Sequence, residues 1–290
     1  MGSGIKTMKK WYLVIDVEKC ENCNNCVLAC KDEHVNNDWP GYCAPQPDHG
    51  QKWMNIQGIE RGRFPNIDVA YLPVPCMHCD NAPCLKAAGA EVVHKRPDGI
   101  VIIDPVKAKG KKKIVEACPY GAIWWNEKLE LPQKCTLCAH LLDQGWTKTR
   151  CVQSCPTGAL NILHLEESEM QHAISKEHLE TYLPERQTQP HVFYKNLYRF
   201  TRCFIGGSVS IILKGKTECA ENAKVSLLDS SGKAMAETDT DNYGDFKFDN
   251  LPENSGQYQI RISLKGYQTR TVNVILGKSI DAGTISLTEN

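Results

Sequence analysis

Neither sign of charge prevails in this chain of 290 residues: 34 lysines and arginines stand against 34 aspartates and glutamates. That balance removes the electrostatic case for nucleic acid as a partner. Long apolar runs are missing too, and no uninterrupted stretch reaches the roughly eighteen residues that a membrane-spanning helix needs. The amino terminus, Met1 to Met8, has no apolar signal core and no twin arginine. The expected compartment is therefore the cytoplasm, with the reservation that a folded subunit can be exported bound to a partner that carries a signal. Catalytic signatures are equally scarce. The nine histidines form no metal-ligand pair beside a carboxylate, and no nucleophile elbow supports Ser/His/Asp chemistry, so no catalytic residue is expected on this chain.

What the chain has in excess is cysteine, 15 in all, with thirteen between Cys20 and Cys155. The first group, Cys20, Cys23, Cys26 and Cys30, is spaced C-x2-C-x2-C-x3-C. Three thiolates on a tight loop reach one four-iron cube, while the fourth, a helical turn further on, points away and ligates another, as in bacterial ferredoxins. Zinc needs four ligands, usually taken as two separated pairs, and fits this quartet poorly. A disulfide framework fits worse, because the chain is too long to need stapling and no secretory signal precedes it. The pattern points to an electron carrier.

Three further segments follow, two of them incomplete. Cys76, Cys79 and Cys84 are followed by Ala88 where a fourth cysteine is due. Cys118 stands alone before Pro119, and counting back by the ferredoxin spacing puts its missing companions at Ala108, Lys111 and Ile114. The last segment, Cys135, Cys138, Cys151 and Cys155, is intact but carries a long insertion. In a two-cluster module the fourth cysteine of one motif completes the cluster of its partner. Pairing first with fourth and second with third gives three complete [4Fe-4S] sets. These are Cys20, Cys23, Cys26 and Cys155; Cys30, Cys135, Cys138 and Cys151; and Cys76, Cys79, Cys84 and Cys118. The fourth set falls on positions 88, 108, 111 and 114, none of which is cysteine. Random decay does not remove one whole set and spare three.

Around these cysteines, Pro75-Cys76-Met77-His78-Cys79, Pro83-Cys84, Gly99 to Asp104, Cys118-Pro119-Tyr120-Gly121-Ala122, Lys134-Cys135-Thr136-Leu137-Cys138 and Cys155-Pro156-Thr157-Gly158-Ala159 resemble the iron–sulfur subunits of the dimethyl-sulfoxide-reductase superfamily. Most of those carry four clusters. One branch departs as this chain does: the small subunits of pyrogallol–phloroglucinol transhydroxylases and of anaerobic resorcinol-type hydroxylases. Asn24-Asn25-Cys26, Trp39-Pro40-Gly41-Tyr42, Trp53-Met54-Asn55-Ile56, the lysine-rich Lys107 to Lys113 and Tyr194 to Phe200 are similar to that branch. The resemblance implies a large partner subunit that holds bis-molybdopterin guanine dinucleotide with molybdenum or tungsten and binds a phenol.

Beyond Cys155 the composition changes. The expected organisation is a duplicated ferredoxin-like domain over 9–165, a helix and extended connector over 166–207, and a β-sandwich or small barrel over 208–290, in all an α+β chain. Met170, Ala173, Ile174, Leu179 and Leu183 predict one amphipathic helix over 166–183, ending before Pro184. From about Ser208 apolar residues alternate, as in Phe246/Phe248 and Tyr258/Ile260/Ile262, between turn clusters such as Asp241-Asn242-Tyr243-Gly244. This predicts six or seven short strands, and Ala223 to Tyr267 resembles transthyretin-like or carboxypeptidase-regulatory-like domains, usually contact modules. Asp239, Asp241 and Asp245 lack the companions of a helix–loop–helix calcium site and read as a solvated turn. The five lysines of 107–113 read likewise, Phe193, Tyr194, Tyr198 and Phe200 read as internal packing, and Cys43, Cys203 and Cys219 as buried thiols.

Two readings of function follow. In one, the chain is the electron-transfer subunit of a molybdopterin enzyme hydroxylating or transhydroxylating phenols, with the chemistry on its partner; another oxidoreductase of the superfamily is the variant of this reading. In the other, the clusters are structural and the chain serves assembly, because moving a hydroxyl between two phenols needs no net electrons.

Overall fold

The computed structural model describes residues 8–290; residues 1–7, where the signal core was sought, lie outside them. The chain divides into two compact units, Met1–Gly58 with Tyr71–Leu197, and Ile59–Ala70 with Tyr198–Asn290. The expected connector is therefore split at Leu197, and a short early segment joins the later residues.

Along the first unit run β1 (Lys10–Asp16), α1 (Asn25–His34), the hairpin β2 (Asn55–Arg63) and β3 (Asn66–Val74) whose outer part belongs to the second unit, α2 (Pro83–Ala88), β4 (Val93–Lys95), β5 (Val101–Ile103), α3 (Lys113–Glu116), β6 (Ile123–Asn126), β7 (Leu131–Lys134), α4 (Ala139–Asp143), α5 (Arg150–Gln153), β8 (Leu160–Leu165), α6 (Glu167–Glu177) and β9 (Val192–Lys195). Strand β1 is the organiser. Its sequence KWYLVID is nearly continuous in apolar residues, and Tyr12 to Asp16 are all buried, as expected of a strand covered on both faces. Strand β8 pairs with it antiparallel, Leu13 opposite Ile162, and β9 pairs parallel, Leu13 opposite Val192. Helix α1 packs on α5 and α2 on α3, so the first cysteine segment neighbours the fourth and the second neighbours the third.

Helix α6 is shorter than its apolar periodicity predicts. It opens with a capping box between Glu166 and Glu169 and closes at His178, whose φ of 53° ends the helical hydrogen bonding. Leu179 still joins Tyr12, Val14 and Met170 in one core cluster, so the helical spacing continued through a turn. Phe193 packs against that cluster. Tyr194 is fully buried and donates from its hydroxyl to the Pro73 carbonyl at 2.9 Å, so these two aromatics serve this unit's own packing.

The second unit is a β-sandwich entered through the short helix α7 (Tyr198–Thr201). One sheet is built on β10 (Cys203–Leu213), which pairs with β11 (Lys216–Cys219), β14 (Asp245–Leu251) and, in parallel, β17 (Ile280–Leu287). The other has the order β13 (Ala234–Asp239), β12 (Lys224–Leu228), β15 (Gly256–Ser263), β16 (Arg270–Leu276). Among the described residues the sandwich has eight strands rather than six or seven, and the first begins at Cys203, where Gly206 and Gly207 hide the alternation. The alternating residues face inward together: Val225, Leu227, Phe246, Phe248, Ile260 and Ile262 share one core. A fully buried aliphatic of this kind contributes about 1.5–3 kcal/mol. Asp241 accepts from the backbone N–H groups of Tyr243 and Asp245, both at 2.9 Å, a closed turn rather than an ion site. Cys219 is exposed, contrary to expectation, because the whole of β11 is exposed.

Candidate iron–sulfur centres

Short loops with unusual backbone carry the cysteines. Asn22 and Asn24 have φ of 54° and 61°, His78 46°, Leu137 54° and Cys138 48°; asparagine tolerates this left-handed region better than other side chains. The bends aim successive thiols inward instead of letting them alternate. Cys26 and Cys30 follow at a helical interval on α1.

Cys20, Cys23, Cys26 and Cys155 come together. Burial first, and then the charges of Cys151, Cys20, Cys155 and Cys23, push the Cys26 thiol up to about 12. Cys23 is exposed, whereas Cys26 is buried. At Cys155 burial raises the thiol, but the Leu160 N–H, the Thr157 hydroxyl and the Ala159 N–H outweigh it and hold it below its ordinary value.

Cys30, Cys135, Cys138 and Cys151 line one small cavity with Leu13, His34, Met54 and Leu137. Burial, then Cys135, Cys138 and Cys151, raises Cys30 well above the ordinary thiol value. The Leu137 N–H donates to Cys135 Sγ at 3.3 Å, and Thr149 Oγ1 lies 3.1 Å from Cys151 Sγ. The long insertion before Cys151 holds α4 and brings Thr149 into place.

Cys76, Cys79, Cys84 and Cys118 form the third gathering. Burial and Cys76, with Cys118 and Cys84 behind them, push Cys79 up to about 12; burial, Cys76 and Cys118 push Cys84 to about 11. The His78 N–H donates to Cys76 Sγ at 3.5 Å, and the N–H groups of Ala122 and Tyr120 reach Cys118. Electrostatic influence also crosses between the gatherings, from Cys151 on Cys26, from Cys155 on Cys151 and from Cys76 on Cys135.

All fifteen cysteines are free thiols, and among the described residues no three His, Cys, Asp or Glu side chains close on a point suited to a single metal ion. Thiols so buried and so crowded repel one another once ionised, and a multi-iron centre supplies the positive charge that keeps its ligands deprotonated. The N–H donors on sulfur fit the same chemistry, since hydrogen bonds to cluster sulfurs set potential. The residues present therefore fit iron–sulfur clusters.

At the remaining four positions Ala108 and Ile114 are 0 % and 1 % exposed, Ala88 is half-buried and Lys111 is exposed. All five lysines of that stretch are exposed, and Lys112 lies over the Trp125 ring at 5.6 Å. At three of the four positions an apolar side chain stands where a thiol is missing, and at the other the exposed Lys111.

Sequence reasoning missed the polar residues packed around the second gathering. His140 Nε2 pairs with Glu33 at 2.8 Å and stacks on Trp39, while Cys43 Sγ lies 3.6 Å from His34 Nδ1. Burial, then His140, lowers His34 to about 3, so it is a neutral ring. Lys134 is buried as well; its place before Cys135 was the one visible signal.

Residues 67–165 match the 4Fe-4S dicluster domain family and residues 210–288 the carboxypeptidase regulatory-like domain family. The chain is 46% identical over 283 residues to the pyrogallol hydroxytransferase small subunit of Pelobacter acidigallici, covering 97% of this chain and 100% of that one. It is 31% identical to a sulfite dehydrogenase subunit of Allochromatium vinosum, over 66% of this chain and 90% of that one. Against one subunit of the anaerobic dimethyl sulfoxide reductase of Escherichia coli it is 32% identical, over 54% and 75%. Among solved structures the 5-hydroxyisourate hydrolase of Klebsiella pneumoniae aligns with a TM-score of 0.25 at 17% identity, over 30% of this chain and 86% of that one, too slight a likeness to bear on the fold. A ferredoxin-like [4Fe-4S] unit followed by a β-rich unit defines the class, an iron–sulfur electron-transfer subunit of the dimethyl-sulfoxide-reductase superfamily. Within that class the chain itself belongs to the family of pyrogallol hydroxytransferase small subunits. Among the described residues no helix is long and apolar enough to cross a membrane.

Proposed function

We propose that this chain holds three [4Fe-4S] cubes and passes electrons to or from a large molybdopterin subunit that hydroxylates or transhydroxylates pyrogallol- or resorcinol-type phenols. What supports this reading most is that twelve cysteines sort into three fours by their spacing and act on one another electrostatically within them, while the four positions of a fourth set hold no cysteine. The first cube takes Cys20, Cys23, Cys26 and Cys155, the second Cys30, Cys135, Cys138 and Cys151, and the third Cys76, Cys79, Cys84 and Cys118. When bound, the cubes supply one-electron carriage. This chain's residues supply the thiolates, N–H donors from Leu137 and His78, and a buried setting that excludes water from the second and third cubes. The electrostatic influence of Cys151 on Cys26 and of Cys76 on Cys135 supports a linear order from first to third. The vacated positions on α2 and around α3 then lie beyond the third cube, at the end of the wire.

Bis-molybdopterin guanine dinucleotide with molybdenum or tungsten belongs to the partner in this reading, as the resemblance of the cysteine segments to the dimethyl-sulfoxide-reductase superfamily implies. A reducing compartment, the cytoplasm, suits twelve reduced thiolates. The test is the purified complex. About twelve irons and twelve acid-labile sulfides per copy are expected, with a molybdopterin subunit co-eluting and no hydroxylating activity in the isolated small chain. About sixteen irons, or activity without the partner, would overturn the reading.

A further inference from the structure

Lys134 ends β7 immediately before Cys135, and its side chain is buried at 3 % exposure. Its ammonium donates to the Val101 and Cys135 carbonyls, at 2.5 and 3.0 Å. Among the described residues no carboxylate pairs with it. A buried ammonium resting on two neutral carbonyls is costly unless negative charge lies near. The negative charge at hand is that of the cysteines. Lys134 acts electrostatically on Cys135 of the second gathering and on Cys84 and Cys118 of the third, and on the extra thiol Cys43. At Cys135 its charge and that of Cys76 of the next gathering act together, in opposite directions.

We infer that Lys134 is the shared counter-charge of the second and third cubes and raises the reduction potential of both. The inference rests on the three-cube reading above. Reduction adds one electron, and so one negative charge, to a cube, at the expense of the neighbouring carrier that gives it up. A fixed positive charge beside two cubes eases that step at each, and low-dielectric surroundings enlarge the effect. The first cube, with exposed Cys23, is the internal control, because Lys134 is not among the largest influences on Cys20, Cys26 or Cys155. Lys134 is a positioning residue for charge and touches no substrate.

The experiment is an EPR-monitored redox titration of the complex, comparing the native chain with Lys134→Met and Lys134→Arg. Iron content of the native complex comes first, because a count far from about twelve defeats the three-cube reading and not this one. With cubes intact, Lys134→Met should lower the potentials of the second and third cubes by at least a tenfold change in the reduction equilibrium, about 59 mV for one electron. The first cube should not move, and Lys134→Arg should restore most of the shift. Unmoved potentials in loaded Lys134→Met, or an equal shift in Lys134→Arg, would overturn the proposal. Where Lys134→Met loads no iron, loading by Lys134→Arg supports the counter-charge role, and failure of both assigns Lys134 to packing alone.

Discussion

The charge of Cys76 reaches Cys118, and after burial it is the strongest influence raising that thiol. The two come from different cysteine segments, and Cys118 has no companion of its own segment. Cys118→Ala should therefore abolish the same cube as Cys84→Ala and leave two intact, with a loss of about four irons per copy. A thiol that merely packs would cost little and leave iron unchanged. Iron analysis and EPR of the two single variants decide between these outcomes.

The linear order makes its own prediction. Cubes that adjoin perturb each other's potentials and spins; cubes separated by another do not. Loss of the second cube through Cys151→Ala should leave the first and third as isolated signals without mutual broadening. Loss of the third through Cys84→Ala should leave first and second still coupled. Persistent coupling between first and third in Cys151→Ala would contradict the order.

Much of this was legible in the sequence because cysteine spacing is a local code. The spacing within each cysteine segment and the alternation of Phe246 with Phe248 depend on near neighbours in the chain. What stayed hidden depends on distant ones. Helix α6 looked longer because Leu179 keeps a helical spacing after His178 has left the helix. Cys219 looked buried because no local pattern reveals an exposed edge strand. Lys134 looked like any lysine beside a cysteine, and its burial comes from β5 and β7 closing over it.

Backbone sterics in the sandwich separate two glycines of similar conformation. Gly244 and Gly266 have φ of 78° and 90°, but a Cβ on Gly244 would stand 2.4 Å from the Val209 carbonyl, whereas Gly266 has open space. Gly266→Ala should cost only the conformational penalty, about 1–2 kcal/mol. Gly244→Ala should cost clearly more, because the carbonyl belongs to a central strand and cannot move aside. Thermal unfolding followed by far-UV circular dichroism would show the larger drop for Gly244→Ala; equal drops would mean the turn shifts freely.

Within the second unit, Arg61 is 4 % exposed and its guanidinium pairs with Asp68 and with Asp249, the latter at 2.9 Å; Lys247 reaches Asp68 at 3.1 Å. Burial raises the Asp68 carboxyl, but hydrogen bonds from Arg61 and Lys247 and their charges outweigh it and bring it to about 2. A carboxyl depressed on folding adds stability that is fully present above its unfolded pKa, near 4, and disappears as pH falls through the folded one. The size is on the order of 2 kcal/mol before solvent screening of the partly exposed pair is allowed for. Asp68→Asn should thus lower the stability of the sandwich by about 1–2 kcal/mol at neutral pH. The gap between variant and native chain should narrow between pH 4 and pH 2, because the native carboxyl is then losing its charge too. Urea unfolding of both proteins, followed by the β-sheet circular dichroism signal at several pH values, measures that gap. A gap that stays constant down to pH 2 would show that Asp68 contributes through shape and hydrogen bonding alone, not through its charge.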